Sequence, residues 1–294
     1  FLKVITNNAK VIFDMQKGKI SSYVVGDREF LSADKSSQVF VPNVYRAPID
    51  NYMYVVKGWK KLGLDDIKTE LVNFEYKKNH NCALISTEEK LVGNSKHLFN
   101  VYTEYRVYDN GEIDIKPCLE KLKAIDIPKF GLNLELPAQF DRIEYYGRGD
   151  KENYSDMSAH AIMGIYKTDT DGMFEHYIKP QDNGNRCDVR WAKITDKEGD
   201  GLEFVAISEA FNFNANRYTD KAIAQAKHDF ELSESDKSVV RIDGFVRGVG
   251  SNSCGPDTRA EYRHNSTADI VYEFRMKPVF KPQKSEEQAV GAQK

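Results

Sequence analysis

The stretch over residues 99–115 constrains the fold of this chain more than any other. Phe99, Val101, Thr103, Tyr105 and Val107 recur at every second position, with Asn100, Glu104 and Arg106 between them. A period of two belongs to a strand, whose successive side chains point to opposite faces of a sheet. Asp109-Asn110-Gly111 then interrupts the run, and Ile113 and Ile115 resume it. Asn-Gly between two alternating runs marks a hairpin, because both residues tolerate the positive φ of a tight reversal.

The same grammar recurs elsewhere. Val11 and Phe13 alternate within residues 9–14, Lys17-Gly18 reads as a turn, and residues 20–25 follow as a second strand. Leu132, Leu134 and Leu136 share a face within residues 131–136, and residues 201–207, 239–245 and 268–274 read as further strands. Helix signals are few. Thr219-Asp220 caps a short helix expected over residues 221–228, and another is expected over residues 52–62, stopped by Gly63. Strands do not alternate with helices as in βαβ units, and no segment repeats at a fixed period, so the sheets are expected to be antiparallel. Sixteen Tyr and sixteen Phe in 294 residues agree with a strand-rich chain. The expected fold class is therefore all-β, a large antiparallel sandwich with few short helices. No composition break divides residues 1–280, which read as one domain. Residues 281–294 lack an apolar period and read as a loosely ordered tail. The chain opens on Phe1-Leu2-Lys3, with neither Met nor a signal-peptide pattern, which reads as a piece of a longer polypeptide or a processed start.

Several functions are excluded at this level. Lys and Arg number 42 and Asp and Glu 45, a net charge of −3, whereas a general nucleic-acid binder shows a basic domain or stripe. No apolar run reaches the roughly 18 residues of a membrane helix. There is no Gly-rich phosphate loop, no His-Glu-x-x-His, no Cys-x-x-Cys and no Gly-x-Ser-x-Gly elbow, so neither a metal site nor a cofactor is expected. Cys82, Cys118, Cys187 and Cys254 are far apart and are expected as free thiols, with Cys82 and Cys118 facing a core. Cysteine usage fits a cytoplasm and a periplasm alike.

Four segments depart from the strand-and-turn pattern: residues 45–51 (YRAPIDN), 146–156 (YGRGDKENYSD), 177–191 (YIKPQDNGNRCDVRW) and 243–256 (DGFVRGVGSNSCGP). Each mixes Gly with Asn or Asp, Arg and aromatic residues, or a close variant of that mixture. Taken singly, such segments are tight turns, since Gly and Asn supply backbone angles closed to other residues. Taken together, they suit loops that meet a polar, neutral, ring-shaped ligand. A sugar needs groups that donate and accept hydrogen bonds to its hydroxyls and an aromatic face for its apolar side. Arg46 and Asp50 are read as a fork that pins a loop.

In this order the four segments resemble the C-terminal, small-chain domain of the family-two β-galactosidases. The matching elements are Arg-Ala-Pro-x-Asp-Asn from Arg46, Gly-x-Gly-x-x-Glu-Asn-Tyr-x-Asp from Gly147, Pro-x-x-Asn-Gly-x-Arg from Pro180 and Gly-x-Gly-x-x-Ser-x-x-Pro from Gly248, and Trp59-Lys60-Lys61-Leu62-Gly63 looks like the family's Trp-Lys-x-x-Gly. The resemblance implies a supersandwich similar to galactose mutarotase. It implies partners too: a catalytic (β/α)₈ barrel carrying both catalytic carboxylates, further domains of the same chain, galactosides, and a homo-oligomer as a compatible state. Any cation of the full enzyme would sit in the barrel, and the fragment alone is expected to be inactive because both catalytic carboxylates belong to that barrel. The match assigns Gly147, Arg148, Gly149, Glu152, Asn153, Ser253 and Cys254 to one wall of the galactoside site, with the two loops close together. Asp150 stands where many members carry Pro, and Met157 where many carry Arg. Cys254 stands where some carry a Trp that stacks on substrate; a thiol offers no such platform.

Two other functions compete. A stand-alone sugar epimerase needs a His acid and a Glu base at one sugar, for which His160 or His176 with Glu152 are the candidates. A carbohydrate-binding module needs exposed aromatics, for which Trp59 and Trp191 are the obvious choices, although single Trp residues more often fill cores.

Overall fold

A computed structural model describes residues 1–31, 34, 37, 39–250 and 257–281. Among these residues the strands form three antiparallel sheets of four, five and ten strands. The ten-stranded sheet starts at the edge strand Ile162–Asp169. It continues through Arg142–Gly149, Trp191–Thr195, Gly201–Ala206, Phe274–Val279, Ile113–Lys121, Lys96–Tyr108 and Cys82–Gly93 to the other edge at Lys68–Lys78, and the tenth strand, Ile270–Val271, pairs with Ile113–Lys121 off this path. The five-stranded sheet orders Arg186–Val189, Phe211–Asn216, Lys237–Val246, Lys129–Pro137 and Val39–Asn43. Leu2–Ile5, Ala9–Asp14, Lys19–Val25 and Arg28–Glu29 make the small sheet.

The alternating run forms the expected hairpin. Tyr105 lies opposite Ile115 and Val107 opposite Ile113. Phe99, Val101, Thr103, Tyr105 and Val107 are buried, whereas Asn100, Glu104 and Arg106 are half-exposed. Gly111, at φ 88°, donates its N–H to the Tyr108 carbonyl at 2.9 Å and closes the reversal. One hydrophobic cluster runs from Ala9 to Met276 and draws on all three sheets. Phe40 and Phe211 of the five-stranded sheet meet Phe274 of the ten-stranded sheet, with centroids 5.9 and 6.3 Å away. Phe13 of the small sheet meets Tyr105 edge-on at 5.4 Å. Aromatic pairs of this geometry contribute beyond the area they bury, and they fasten both smaller sheets to the large one.

Three local expectations need correction. The stretch 52–62 is not one helix: a 3-10 turn, Asp50–Tyr52, precedes an α-helix at Val56–Leu62, which stops at Gly63 in the left-handed region, φ 75°. The break follows from Tyr52, whose ring is held in the interior edge-on to Trp59, 5.2 Å away. The second helix is Asp220–Gln225, capped by Thr219 as expected, and it ends early because Glu231 turns back to accept the N–H groups of Lys227 and His228. The strand expected over 268–274 is split into Ile270–Val271 and Phe274–Val279. Both pieces pair with the strand that contains Pro117, and proline offers no N–H to a continuous ladder.

Cys82, Cys118 and Cys187 are free thiols, and Cys254 lies outside the described residues. Cys187 is buried, but Cys82 and Cys118 are half-buried. Cys118 pairs with the exposed Tyr102 on the outer face, because its position in the alternation is one away from the buried Leu119. Of the expected tail, residues 281–294, all but Lys281 lie outside the described residues.

Candidate functional site

The four unusual segments converge. Asn51 donates its side-chain amide to the Val249 carbonyl at 2.7 Å, and the Tyr52 hydroxyl donates to the Gly248 carbonyl at 2.5 Å. Asp156 accepts from the N–H groups of Val249 and Gly250 at 2.9 and 2.7 Å. The carboxylate can approach so closely because residue 248 is Gly: a Cβ there would stand 2.5 Å from the Asp156 carboxyl carbon. The Gly184 N–H donates to Glu152 at 2.8 Å, and the Asp182 N–H donates to the Ala47 carbonyl at 3.3 Å. Together these bonds tie loops from the ten-stranded and five-stranded sheets into one unit.

The residues assigned from sequence take different positions in this unit. Gly147 and Gly149 are buried in the strand Arg142–Gly149. Asn153 is also buried. It donates to the Arg148 and Lys151 carbonyls at 3.1 and 2.9 Å and accepts from the Cys187 N–H at 2.8 Å, so its amide joins three pieces of backbone. Arg148 is half-exposed and paired with Asp188 at 2.5 Å. Glu152 is braced by the Tyr177 hydroxyl and by Gly184. Ser253 and Cys254 lie outside the described residues. Their flanks are nevertheless anchored, Gly250 by Asp156 and Asp257 by Arg247 at 2.5 Å.

A cleft of about 200 Å³ lies among the four segments, lined by Asn51, Glu152, Tyr154, Tyr177, Gln181 and Asp182 with Ile49, Asp50, Met157 and Val249. The expected Arg46–Asp50 fork is not formed. Asp50 pairs instead with Lys179 at 2.9 Å, and buried Arg46 faces Asp182 at 3.5 Å. The reason is packing: Arg46 is sandwiched between the rings of Tyr52 and Tyr154, its guanidinium carbon 4.9 and 5.2 Å from their centroids, and also donates to the Tyr52 hydroxyl. No hydrogen bond is donated to the Asp182 carboxylate among the described residues. Burial pushes its pKa up to about 6, against the opposing pull of Arg46. Burial, followed by Glu152, also raises the Tyr177 hydroxyl. Asp182 and Gln181 were not singled out by sequence. They sit in a Pro-x-x-Asn-Gly turn that reads as punctuation, and only the fold aims them at the cleft.

The epimerase candidates are not brought together. His160 contacts the backbone carbonyl of Glu152 at 3.0 Å, not its carboxylate. His176 lies between Asp229 and Asp171, at 2.9 and 3.7 Å, and the hydrogen bond with Asp229 raises its pKa. Trp59 is buried, donating its indole N–H to the Asp126 carbonyl at 2.7 Å, and Trp191 is half-buried. Among the described residues no cluster of His, Cys, Asp and Glu could hold a metal ion.

Comparison with known proteins fits this architecture. The family model described as beta galactosidase small chain matches residues 5–276. A beta-galactosidase of Actinobacillus pleuropneumoniae is 31% identical over 75% of this chain and 22% of its own length. One of Priestia megaterium is 29% identical over 95% of this chain and 26% of its own length. The chain thus spans about a quarter of the length of these relatives. Among solved structures, a GalM/aldose epimerase homologue from C. elegans superposes with a TM-score of 0.52 at 10% identity, covering 96% of this chain and 99% of that one, which shows a shared fold. With the model match spanning nearly all the described strands and the four segments converging in one unit, the chain belongs to the beta galactosidase small chain family.

Proposed function

We propose that this chain is a non-catalytic domain of a β-galactosidase that hydrolyses terminal β-galactosides, and that its loop unit forms one wall of the galactoside site. The observation that carries this reading is the cleft, to which all four family segments contribute side chains while no pair of free carboxyl groups is assembled. Glycoside hydrolysis needs an acid and a second carboxylate flanking one bond. Here Glu152 is engaged by Tyr177 and Gly184 and Asp50 by Lys179, which leaves Asp182 as the one cleft carboxylate with no bound partner closer than Arg46. The catalytic pair belongs on the barrel of the longer enzyme.

The test is complementation. The chain by itself should give no turnover of an aryl β-galactoside above background. Joined to the barrel-bearing remainder of a family member, it should restore turnover, and Asp156→Ala should lower that restored activity by releasing the 249–250 backbone. Turnover that copurifies with the chain alone and vanishes in Glu152→Gln would refute the reading, as would full activity of the joined enzyme carrying Asp156→Ala.

A further inference from the structure

We propose that the cleft is itself a binding site for one neutral hexopyranose ring, with Asp182 and Gln181 as the groups that grip its hydroxyls and Tyr177 as the surface under its apolar face. The inference deepens the pocket-wall reading, but needs no barrel: every group it uses lies on this chain.

Three observations lead to it. First, the polar groups have hydrogen-bonding capacity left. The Asp182 carboxylate faces Arg46 at 3.5 Å, receives no hydrogen bond among the described residues and lines the cleft. Gln181 accepts from the Asp50 N–H through its carbonyl oxygen at 3.2 Å, leaving the amide N–H groups of the same side chain to donate. An acceptor and a donor on successive residues suit two neighbouring hydroxyls, each of which both donates and accepts. Second, the wall is amphipathic. The Tyr177 ring is 38% exposed and Met157 36%, with Ile49 and Val249 beside them, while the Tyr177 hydroxyl is fixed by Glu152. A ring fixed in this way meets the C–H face of a sugar without ordering a mobile side chain on binding. Third, charge selects a neutral ligand. Asp50, Glu152 and Asp182 line the cleft and repel anions, and Arg46 behind Asp182 together with Lys179 on Asp50 opposes a cation. The volume of about 200 Å³ has room for one ring and not for a chain of them.

The test is a titration of the 294-residue chain with D-galactose and D-glucose, followed by amide chemical shifts, with inorganic phosphate and ammonium as charged probes. Saturable shifts centred on Tyr177, Gln181, Asp182 and Val249 are expected with one of the two hexoses, at a dissociation constant on the order of millimolar, typical of a few hydrogen bonds and one stacked ring. Asp182→Asn keeps the shape and removes the charge, and should weaken binding by about fivefold or more, the loss of a charge-assisted hydrogen bond. Gln181→Ala, which leaves the Arg46–Asp182 pair in place, should weaken it similarly and keeps the proposal testable if Asp182→Asn unfolds the chain. Absence of saturation with both hexoses, shifts confined to other regions, tighter binding of phosphate or ammonium, or unchanged affinity in Gln181→Ala would each overturn it. Hexose binding without restored activity in the joined enzyme would keep this site and sink the pocket wall; the converse result would sink this site alone.

Discussion

Replacing Arg46 with Met tests whether the loop unit is held by charge or by shape. Met keeps most of the buried volume, so the cavity term is small. What disappears is the hydrogen bond to the Tyr52 hydroxyl, two ring contacts at 4.9 and 5.2 Å, and the counter-charge 3.5 Å from Asp182. Removing Arg46 also removes the cost of burying a guanidinium, so these contributions do not simply add. Breaking a buried pair by deleting one partner typically costs about 3–5 kcal/mol, because the other charge stays buried alone. That residual charge titrates. Asp182 is raised from 3.8 to about 6 by burial even with Arg46 present. A carboxyl whose folded pKa is raised binds its proton more tightly when folded. Its favourable contribution is therefore complete below pH 3.8 and is lost as pH rises through 6, about 3 kcal/mol at roughly 1.4 kcal/mol per pH unit. Without Arg46 the pKa moves higher still and the loss extends to higher pH. The other charged groups acting on Asp182, namely Lys129, Asp220 and Arg241, are untouched by the substitution. Urea unfolding at matched ionic strength should show Arg46→Met losing about 3–5 kcal/mol at pH 8 and much less at pH 5. Adding Asp182→Asn should flatten that difference. Equal losses at the two pH values, or a loss under about 1 kcal/mol at pH 8, would mean that the pair does not hold the loops.

Gly248→Ala should destabilise by about 2 kcal/mol and speed amide exchange at Val249 and Gly250, because the new Cβ displaces Asp156 from both N–H groups; unchanged exchange there would contradict the anchoring role. Asn153→Ala should cost about 2–4 kcal/mol in a denaturant melt, leaving the buried Cys187 N–H without its acceptor, whereas a loss within about 0.5 kcal/mol would show the amide to be dispensable. Burial pushes the Cys187 thiol up to about 12, so at pH 8 iodoacetamide should leave it unmodified in the folded chain and alkylate it in urea. Mass spectrometry that finds Cys187 alkylated in the folded chain as fast as in urea would refute that protection.

The sequence by itself determined the antiparallel, strand-rich class and the hairpin at Asn110-Gly111. A period of two and a residue pair that tolerates positive φ are local properties that no tertiary contact had to supply. It also determined that the four unusual segments belong together, since their order matches one family. Tertiary structure decided which residues face the cleft. Asn153, read as a ligand contact, is turned inward to join three backbone segments, while Asp182 and Gln181, indistinguishable in sequence from ordinary turn residues, line the cavity. It likewise decided that Arg46 pairs with Asp182, 136 positions away, rather than with Asp50 four positions on, because the rings of Tyr52 and Tyr154 fix where the guanidinium can lie. The partner of a buried charge depends on what surrounds it in space, and that spacing comes into being only when the sheets pack.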